Sequence, residues 1–185
     1  DSENNIAWWT AAKIVKRQAN SNSVLLLDGS TGKDDWLGYY SFSENPRSEN
    51  PPSGYVYSTN NQPDSVNHVL YPGYYLPEDR ALRVTKFFKS RGVFDVKAFE
   101  QLNTDVTNPV SAENAKQLIS SLPNELQAAN PVNKAAISIL EKWNGSHQLE
   151  DCAPTIYYRW LYELLHRTFA DEMGEKDFEA FLKTH

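Results

Sequence analysis

The 185-residue sequence predicts an α+β fold, with a strand- and loop-rich first half followed by a helical second half. Residues 1–76 are rich in glycine, proline, asparagine, serine and aromatic residues, and turn-forming pairs separate their short apolar runs. Residues 77–185 instead repeat apolar side chains at helical spacing. We therefore expect two segments, a strand and loop segment over 1–76 and a helical segment over 77–185.

Several stretches of the first segment favour extended structure. Residues 6–15, 36–42 and 55–58 are rich in tryptophan, tyrosine and other residues that suit strands. Residues 24–27 form a short apolar run that a turn-forming Asp-Gly pair closes. The prolines within 45–54 fix φ and bias the residues before them to extended geometry, which predicts an ordered extended loop and no helix.

Apolar stripes at helical spacing predict six helices in the second segment. They are expected at 78–90, 95–102, 111–122, 131–143, 154–172 and 177–183. Ser111 is expected to cap the third helix, and Gly92 and Gly174 are expected to end the first and the fifth. We expect the apolar stripes to form a core and assign no cofactor site to them.

Composition and charge exclude several classes of function. The net charge of -6 and the scattered positions of the 18 Lys and Arg residues argue against nucleic acid as a partner. No apolar run is long enough to cross a bilayer, so no membrane contact is predicted. The single cysteine excludes an internal disulfide, and the four histidines show no metal-ligand spacing.

The most unusual stretch of the sequence is residues 50–63. A proline-rich turn leads into a short aromatic segment that ends in two adjacent amides, Asn60 and Asn61, followed by Pro63. Such a layout can hold a carboxamide N–H so that it points into a cavity, where it would stabilise an oxyanion. On the residues alone an ordinary turn remains the alternative, because asparagine and proline are common turn formers.

This stretch resembles the signature of a known family. Asn-Pro-Pro-Ser-Gly-Tyr followed by Asn-Asn-x-Pro is similar to the pattern of the penicillin acylase (penicillin amidase) family of N-terminal-nucleophile hydrolases. Four further features fit in the family's order, and they lie at 4–8, 28–38, 79–80 and 143–174. Ser41 and Asn144 depart from the family's usual proline and aspartate. The resemblance runs over nearly the whole chain, and the 50–63 block is its most specific part.

The resemblance implies a fold and two site residues. The first segment would contribute to the αββα sheet of an N-terminal-nucleophile hydrolase and carry its oxyanion loop. Asn60 resembles the asparagine of the oxyanion hole, and Arg80 resembles the arginine that braces it, so these two are the predicted catalytic residues. A guanidinium suits this task because it offers several fixed donors and keeps its charge. Asn61 is expected to support the turn.

No cofactor is expected in this chain, although the resemblance implies calcium in the full-length parent. The family's calcium site draws most of its ligands from other parts of the protein. Here only a backbone carbonyl near Val24 or a side chain near Asn67 could contribute, and no metal ligand is assigned.

The resemblance also implies what surrounds this chain. The family's nucleophile is a serine that autoproteolysis frees at the start of the β subunit, whereas this chain begins with Asp1. We therefore expect an internal fragment of the β subunit of an amidohydrolase that hydrolyses linear or cyclic amides by serine acyl transfer. Its partners would be the α subunit, the nucleophile-bearing part of the β subunit and a small-molecule amide substrate, in a periplasmic or secreted enzyme. The fragment alone is expected to be inactive.

The acyl group stays open among penicillins, acyl-homoserine lactones, lipopeptides and other amides. A different class of function also remains, a non-catalytic module that binds carbohydrate or peptide. Its support is three aromatic pairs, Trp8-Trp9, Tyr39-Tyr40 and Tyr74-Tyr75, because rigid aromatic side chains are common at recognition surfaces. Packing of the same rings in a core is the alternative that we favour. A helical interaction domain would depend on residues 78–185 alone, which carry no specific motif.

Overall fold

The computed structural model describes residues 1–19, 21, 25–63, 75, 77–90, 92–127 and 130–184. The chain divides into two units, Asp1–Val93 and Phe94–His185. Over the described residues, the first unit contains four short strands and one α-helix, and the second contains six α-helices. The predicted α+β fold, with a strand-rich start and a helical second half, is confirmed.

One sheet of the first unit pairs β1 (Ala7–Trp9) with β4 (Arg47–Glu49) in antiparallel register. Asn50 extends this pair by one step, because its backbone N–H donates to Ile6 O and its side-chain Oδ1 accepts from Ile6 N, both at 2.9 Å. Its φ of 41° lies in the left-handed region, which asparagine tolerates better than most residues. The proline-rich stretch contains no helix, as the sequence predicts, but it is only partly extended, with a strand at 47–49 and a turn at 51–54.

A second sheet pairs β2 (Val15–Lys16) with β3 (Gly38–Tyr39). Two strand predictions are too long, and a third is wrong. Residues 6–15 divide between β1 and β2, only two residues of 36–42 are in a strand, and 55–58 form no strand. Aromatic residues favour extended backbone, but a strand forms only where a neighbour completes its hydrogen bonds.

The apolar run at 24–27 is not a strand at its described positions. Leu25 and Leu26 are both exposed, and Val24 lies outside the described residues. Apolar composition alone therefore does not identify a strand here.

The helices follow the predicted order with small shifts at their ends. They are α1 (Asp79–Lys89), α2 (Val96–Asn103), α3 (Pro109–Ser120), α4 (Asn124–Gln127), α5 (Pro131–Lys142), α6 (Cys152–Met173) and α7 (Glu175–Thr184). The one-turn α4 was not predicted. No helix in the part of the chain that the structure describes is both long and apolar enough to cross a bilayer.

The predicted cap of α3 is wrong. Asn108 is the N-cap, and its Oδ1 accepts from the backbone N–H groups of Val110 at 3.0 Å and Ser111 at 3.2 Å. Ser111 lies inside the first turn, where it is buried. Pro109 at the first helical position explains the shift, because its fixed φ and missing N–H suit that position.

The core of the second unit lies between α3, α5 and α6. It is built from small and large apolar residues, namely Ala112, Ala115, Ile119, Leu140, Trp143, Ala153 and Tyr157. Trp143 also donates its indole N–H to Ser146 O at 2.7 Å. Gly174 ends α6 with a φ of 78°, as predicted, and Phe178 on α7 is fully buried.

Helix α1 belongs to the first unit, although its apolar spacing resembles that of the later helices. The Phe88 ring stacks on Tyr55 with centroids 4.5 Å apart and an interplanar angle of 16°. This contact joins α1 to the 50–63 loop. The change of composition near 76 marks where helices begin, whereas the division between the units follows α1.

Candidate active site

The loop over 50–63 is shaped by its glycine and prolines. Gly54 has a φ of 75° and donates its N–H to Pro51 O at 2.9 Å, which closes a tight turn. The Ser53 hydroxyl donates to Tyr55 O at 3.2 Å and supports the exit from this turn. A side chain at position 54 would be strained at this φ, which explains why glycine follows the proline pair.

The second turn of the loop presents Asn60. Thr59 is buried, and its backbone N–H and hydroxyl donate to Asn61 Oδ1 at 3.3 and 2.8 Å. Asn61 Nδ2 donates to Gln62 O at 3.2 Å. Asn60 itself is exposed and has a φ of 64°, in the left-handed region that asparagine tolerates. Asn61 thus closes the turn, and Asn60 projects from it.

The structure brings the two predicted catalytic residues together. Arg80 lies in the first turn of α1, and its Nη1 donates to Asn60 Oδ1 at 3.1 Å. A guanidinium can only donate, so the amide oxygen must face it and Nδ2 must face the other way. Among the described residues, Asn60 Nδ2 has no hydrogen-bond partner. This N–H is therefore an oriented donor.

Asn60 lies at the wall of an open cleft of about 770 Å³ within the first unit. Its other walls mix polar residues with aromatic and apolar ones, among them Trp8, Ile14, Tyr55 and Tyr57. Trp8 and Ser48 are directly paired across β1 and β4, and paired side chains project from the same face, so this face of the sheet lines the cleft.

The arrangement can stabilise negative charge on a carbonyl oxygen. An amide N–H held at one orientation needs no reorganisation when charge develops on the oxygen that it contacts. Tyr75 also lines the cleft, and burial raises the pKa of its hydroxyl above the ordinary value of 10.0. Asn60 and Arg80 carry no acid–base function of their own in this arrangement.

The described residues contain no group of three or more His, Cys, Asp or Glu side chains that could hold a metal ion. The two positions named for a calcium contribution, Val24 and Asn67, lie outside the described residues.

The sequence profile of the penicillin amidase family matches residues 1–185. The chain belongs to the penicillin amidase family.

Relatives of this penicillin amidase chain are much longer than the chain itself. It is 24% identical over 205 residues to an acyl-homoserine lactone acylase QuiP of Pseudomonas aeruginosa. This alignment covers 98% of the chain and 23% of that protein. It is 24% identical over 178 residues to the penicillin G acylase of Escherichia coli, and this alignment covers 91% of the chain and 21% of that protein. The chain thus spans less than a quarter of the length of either relative.

A solved structure with the same fold is the thermostable penicillin G acylase from Alcaligenes faecalis. The two agree with a TM-score of 0.71 at 24% identity, over 97% of this chain and 33% of the other. The family and the fold implied by the sequence resemblance are therefore confirmed for this penicillin amidase chain.

Among the described residues the aromatic pairs are divided, because Trp8 and Tyr75 both line the cleft and Trp9 and Tyr39 do not. Trp9 and Tyr39 are exposed, and Tyr74 lies outside the described residues. Sequence reasoning missed a buried residue next to the cleft, Asn45. Its only sequence signal is a polar residue directly before a proline, which by itself predicts an extended turn and no burial.

Proposed function

We propose that this chain supplies part of the oxyanion hole of a penicillin-acylase-like amidohydrolase that hydrolyses a non-peptide C–N bond in a linear or cyclic amide. The observation that carries the proposal is the 3.1 Å contact from Arg80 to Asn60 Oδ1, which leaves Asn60 Nδ2 oriented as a donor at a cleft. Family membership supports the class of reaction.

The proposed chemistry is acyl transfer. A serine hydroxyl from another part of the parent enzyme attacks the substrate carbonyl and forms a tetrahedral intermediate. Asn60 Nδ2 donates to its oxyanion, the C–N bond breaks as the amine leaves, and water then hydrolyses the acyl-serine ester. One preorganised donor of this kind typically contributes about 10²–10³-fold to turnover. Arg80 does not contact the reacting atoms in this scheme and instead fixes the orientation of the Asn60 amide.

The parent enzyme supplies what the chain lacks in this scheme. We propose that the nucleophile, its base and a second oxyanion donor come from the remainder of the β subunit, and that the α subunit helps to build the acyl pocket. Both relatives are named for acyl-amide substrates, one for penicillin G and the other for acyl-homoserine lactones. The proposed substrate class is therefore a small N-acyl amide, hydrolysed outside the cytoplasm, with calcium bound by other parts of the parent.

The proposal is tested by comparing the parent enzyme with the isolated 185-residue chain. The parent should release amine from N-acyl amides, measured with a chromogenic leaving group, and the isolated chain should give no turnover above buffer. Turnover by the isolated chain would refute the proposal that the nucleophile lies elsewhere. Failure of the processed parent to hydrolyse any of a panel of aryl-acetyl and fatty-acyl amides would refute the amidohydrolase function.

An aromatic-rich binding module is the second candidate, and one exposed contact favours it. Trp36 and Tyr39 are 59% and 50% exposed, and their rings meet edge to face at 6.1 Å. Exposed paired rings of this kind can stack on a sugar face. Specific glycan binding by the isolated chain that is lost in Trp36→Ala, together with an inactive parent, would favour this function.

A further inference from the structure

We propose that Asn45 is a positioning residue that holds one wall of the Asn60 cleft and thereby sets the affinity for substrate. This inference rests on the proposed amidohydrolase function for its kinetic consequence. The structural relationship behind it concerns two segments far apart in sequence, the stretch after β1 and the stretch before β4.

Asn45 joins these two segments through a single side-chain nitrogen. The residue is fully buried, and Nδ2 donates to Thr10 O and to Ala12 O, both at 2.8 Å. Next to it, Thr10 N–H donates to Pro46 O at 3.0 Å. Three hydrogen bonds therefore fix the backbone of residues 10–12 against residues 45–46. Thr10 and Ala12 lie between β1 and β2. Here the side-chain hydrogen bonds of Asn45 take the place of the backbone hydrogen bonds that join paired strands.

The position of Asn45 is itself set by the turn that precedes it. Residues 42–44 form one turn of 3₁₀ helix that is closed at both ends: Ser41 N–H donates to the Glu44 carboxylate at 2.8 Å, and Asn45 N–H donates to Phe42 O at 3.1 Å. Hydrogen bonds from the backbone and hydroxyl of Ser41 hold the pKa of Glu44 below its ordinary value. The amide of Asn45 is thus presented from a fixed backbone.

The segments that Asn45 joins line the same cleft as Asn60. Thr10 and Pro46 are lining residues, and so are Trp8 just before and Ile14 just after the fixed stretch. A shift of residues 10–12 would therefore move Trp8 and Ile14 relative to the Asn60 donor. Substrate affinity depends on this wall, whereas stabilisation of the oxyanion depends on Asn60 and Arg80.

Only a side chain with two N–H donors on one atom can serve both carbonyls. Leucine has a similar size but no donor, and an ionised aspartate would place a negative charge against two carbonyl oxygens. A protonated aspartic acid regains a single O–H donor. Asn45→Leu and Asn45→Asp therefore separate the shape of the side chain from its hydrogen bonds, and Asn45→Asp adds a dependence on pH that a purely packing role would not show.

The experiment uses the processed parent enzyme with Asn45→Leu, Asn45→Asp and, as a control, Ser111→Ala, which removes another buried polar group in the second unit. Both Asn45 variants should raise KM about tenfold at neutral pH, the equivalent of about one net hydrogen bond, with kcat within about twofold of the wild type. The KM of Asn45→Asp should fall toward the wild-type value as the pH is lowered. Ser111→Ala should leave KM unchanged.

Amide hydrogen exchange of the same proteins gives a readout that needs no activity. Residues 9–13 should exchange at least about tenfold faster in Asn45→Leu and at the wild-type rate in Ser111→Ala, because local opening no longer has to break the hydrogen bonds of Asn45. An inactive parent with fast exchange at 9–13 would refute the proposed function and leave the positioning role supported. Wild-type exchange and KM in the Asn45 variants would overturn the inference. If Asn45→Leu does not fold, Asn45→Asp alone decides the test. Its KM must then change with pH by more than the KM of the wild-type enzyme does.

Discussion

Arg80 Nη1 donates a 3.1 Å hydrogen bond to Asn60 Oδ1, and this contact fixes which way the Asn60 amide points. The two residues come from different elements, a turn of the 50–63 loop and the first turn of α1. The stacking of Phe88 on Tyr55 ties the same helix to the same loop. A rotation of α1 would therefore disturb the amide, and the packing of the helix holds the donor in place.

Arg80→Met should lower kcat of the parent enzyme about tenfold or more, because Asn60 loses the partner that orients its Nδ2. Arg80→Lys should retain only part of the wild-type kcat, since an ammonium lacks the planar fork of a guanidinium. Lys86→Met on the exposed side of the same helix is the control and should leave kcat unchanged. In the background of Asn60→Ala, Arg80→Met should have almost no further effect on kcat. Full additivity of the two losses would contradict the orienting role.

Gly145→Ala should destabilise the second unit strongly. A Cβ at this position would lie 2.1 Å from Asn108 O, and the φ of 93° is unfavourable for alanine. We expect a loss of about 3 kcal/mol or more in the free energy of unfolding, measured by chemical denaturation. Gly174→Ala is the matched control, because its φ of 78° is also positive but its Cβ would meet open space. It should cost clearly less, and equal costs would show that the contact with Asn108 is unimportant.

The second unit should lose stability at alkaline pH through Tyr157. Burial raises the pKa of this hydroxyl above its ordinary value of 10.0, and polar contacts with Asn114 and Ser111 offset part of the rise. Above the ordinary pKa the unfolded chain loses this proton while the folded chain keeps it, so stability present at lower pH declines as pH rises through the folded pKa. Tyr157→Phe should flatten the fall in Tm between about pH 9 and about pH 11, a window of about one unit on either side of the ordinary tyrosine pKa. Tyr158→Phe is a second test, because the charge of this neighbour also raises the pKa of Tyr157, and it should reduce the fall in Tm less than Tyr157→Phe does.

The helices could be predicted from sequence because their signals are local. Apolar residues three and four apart, with Asn130 before Pro131 and Gly174 at the end of α6, define elements that form within one stretch of chain. The error at Ser111 has the same origin, since two capping residues lie three positions apart and only the fixed φ of Pro109 decides between them.

The strands and the cleft depend on contacts between distant residues, so the sequence predicted them less well. β1 pairs with β4 across about 40 residues, a separation that no local pattern encodes. Asn45 was missed for this reason, because its partners are 33 and 35 residues away. Asn60 and Arg80 were found through a family resemblance, and the residues alone left an ordinary turn as the alternative.

The most direct test of the central claim is kcat of the processed parent enzyme carrying Asn60→Ala. The account predicts a fall of about 10²–10³-fold with little change in KM, while gels still show the mature chains. A kcat near that of the wild type in correctly processed Asn60→Ala enzyme would contradict the assignment of Asn60 as the oxyanion donor.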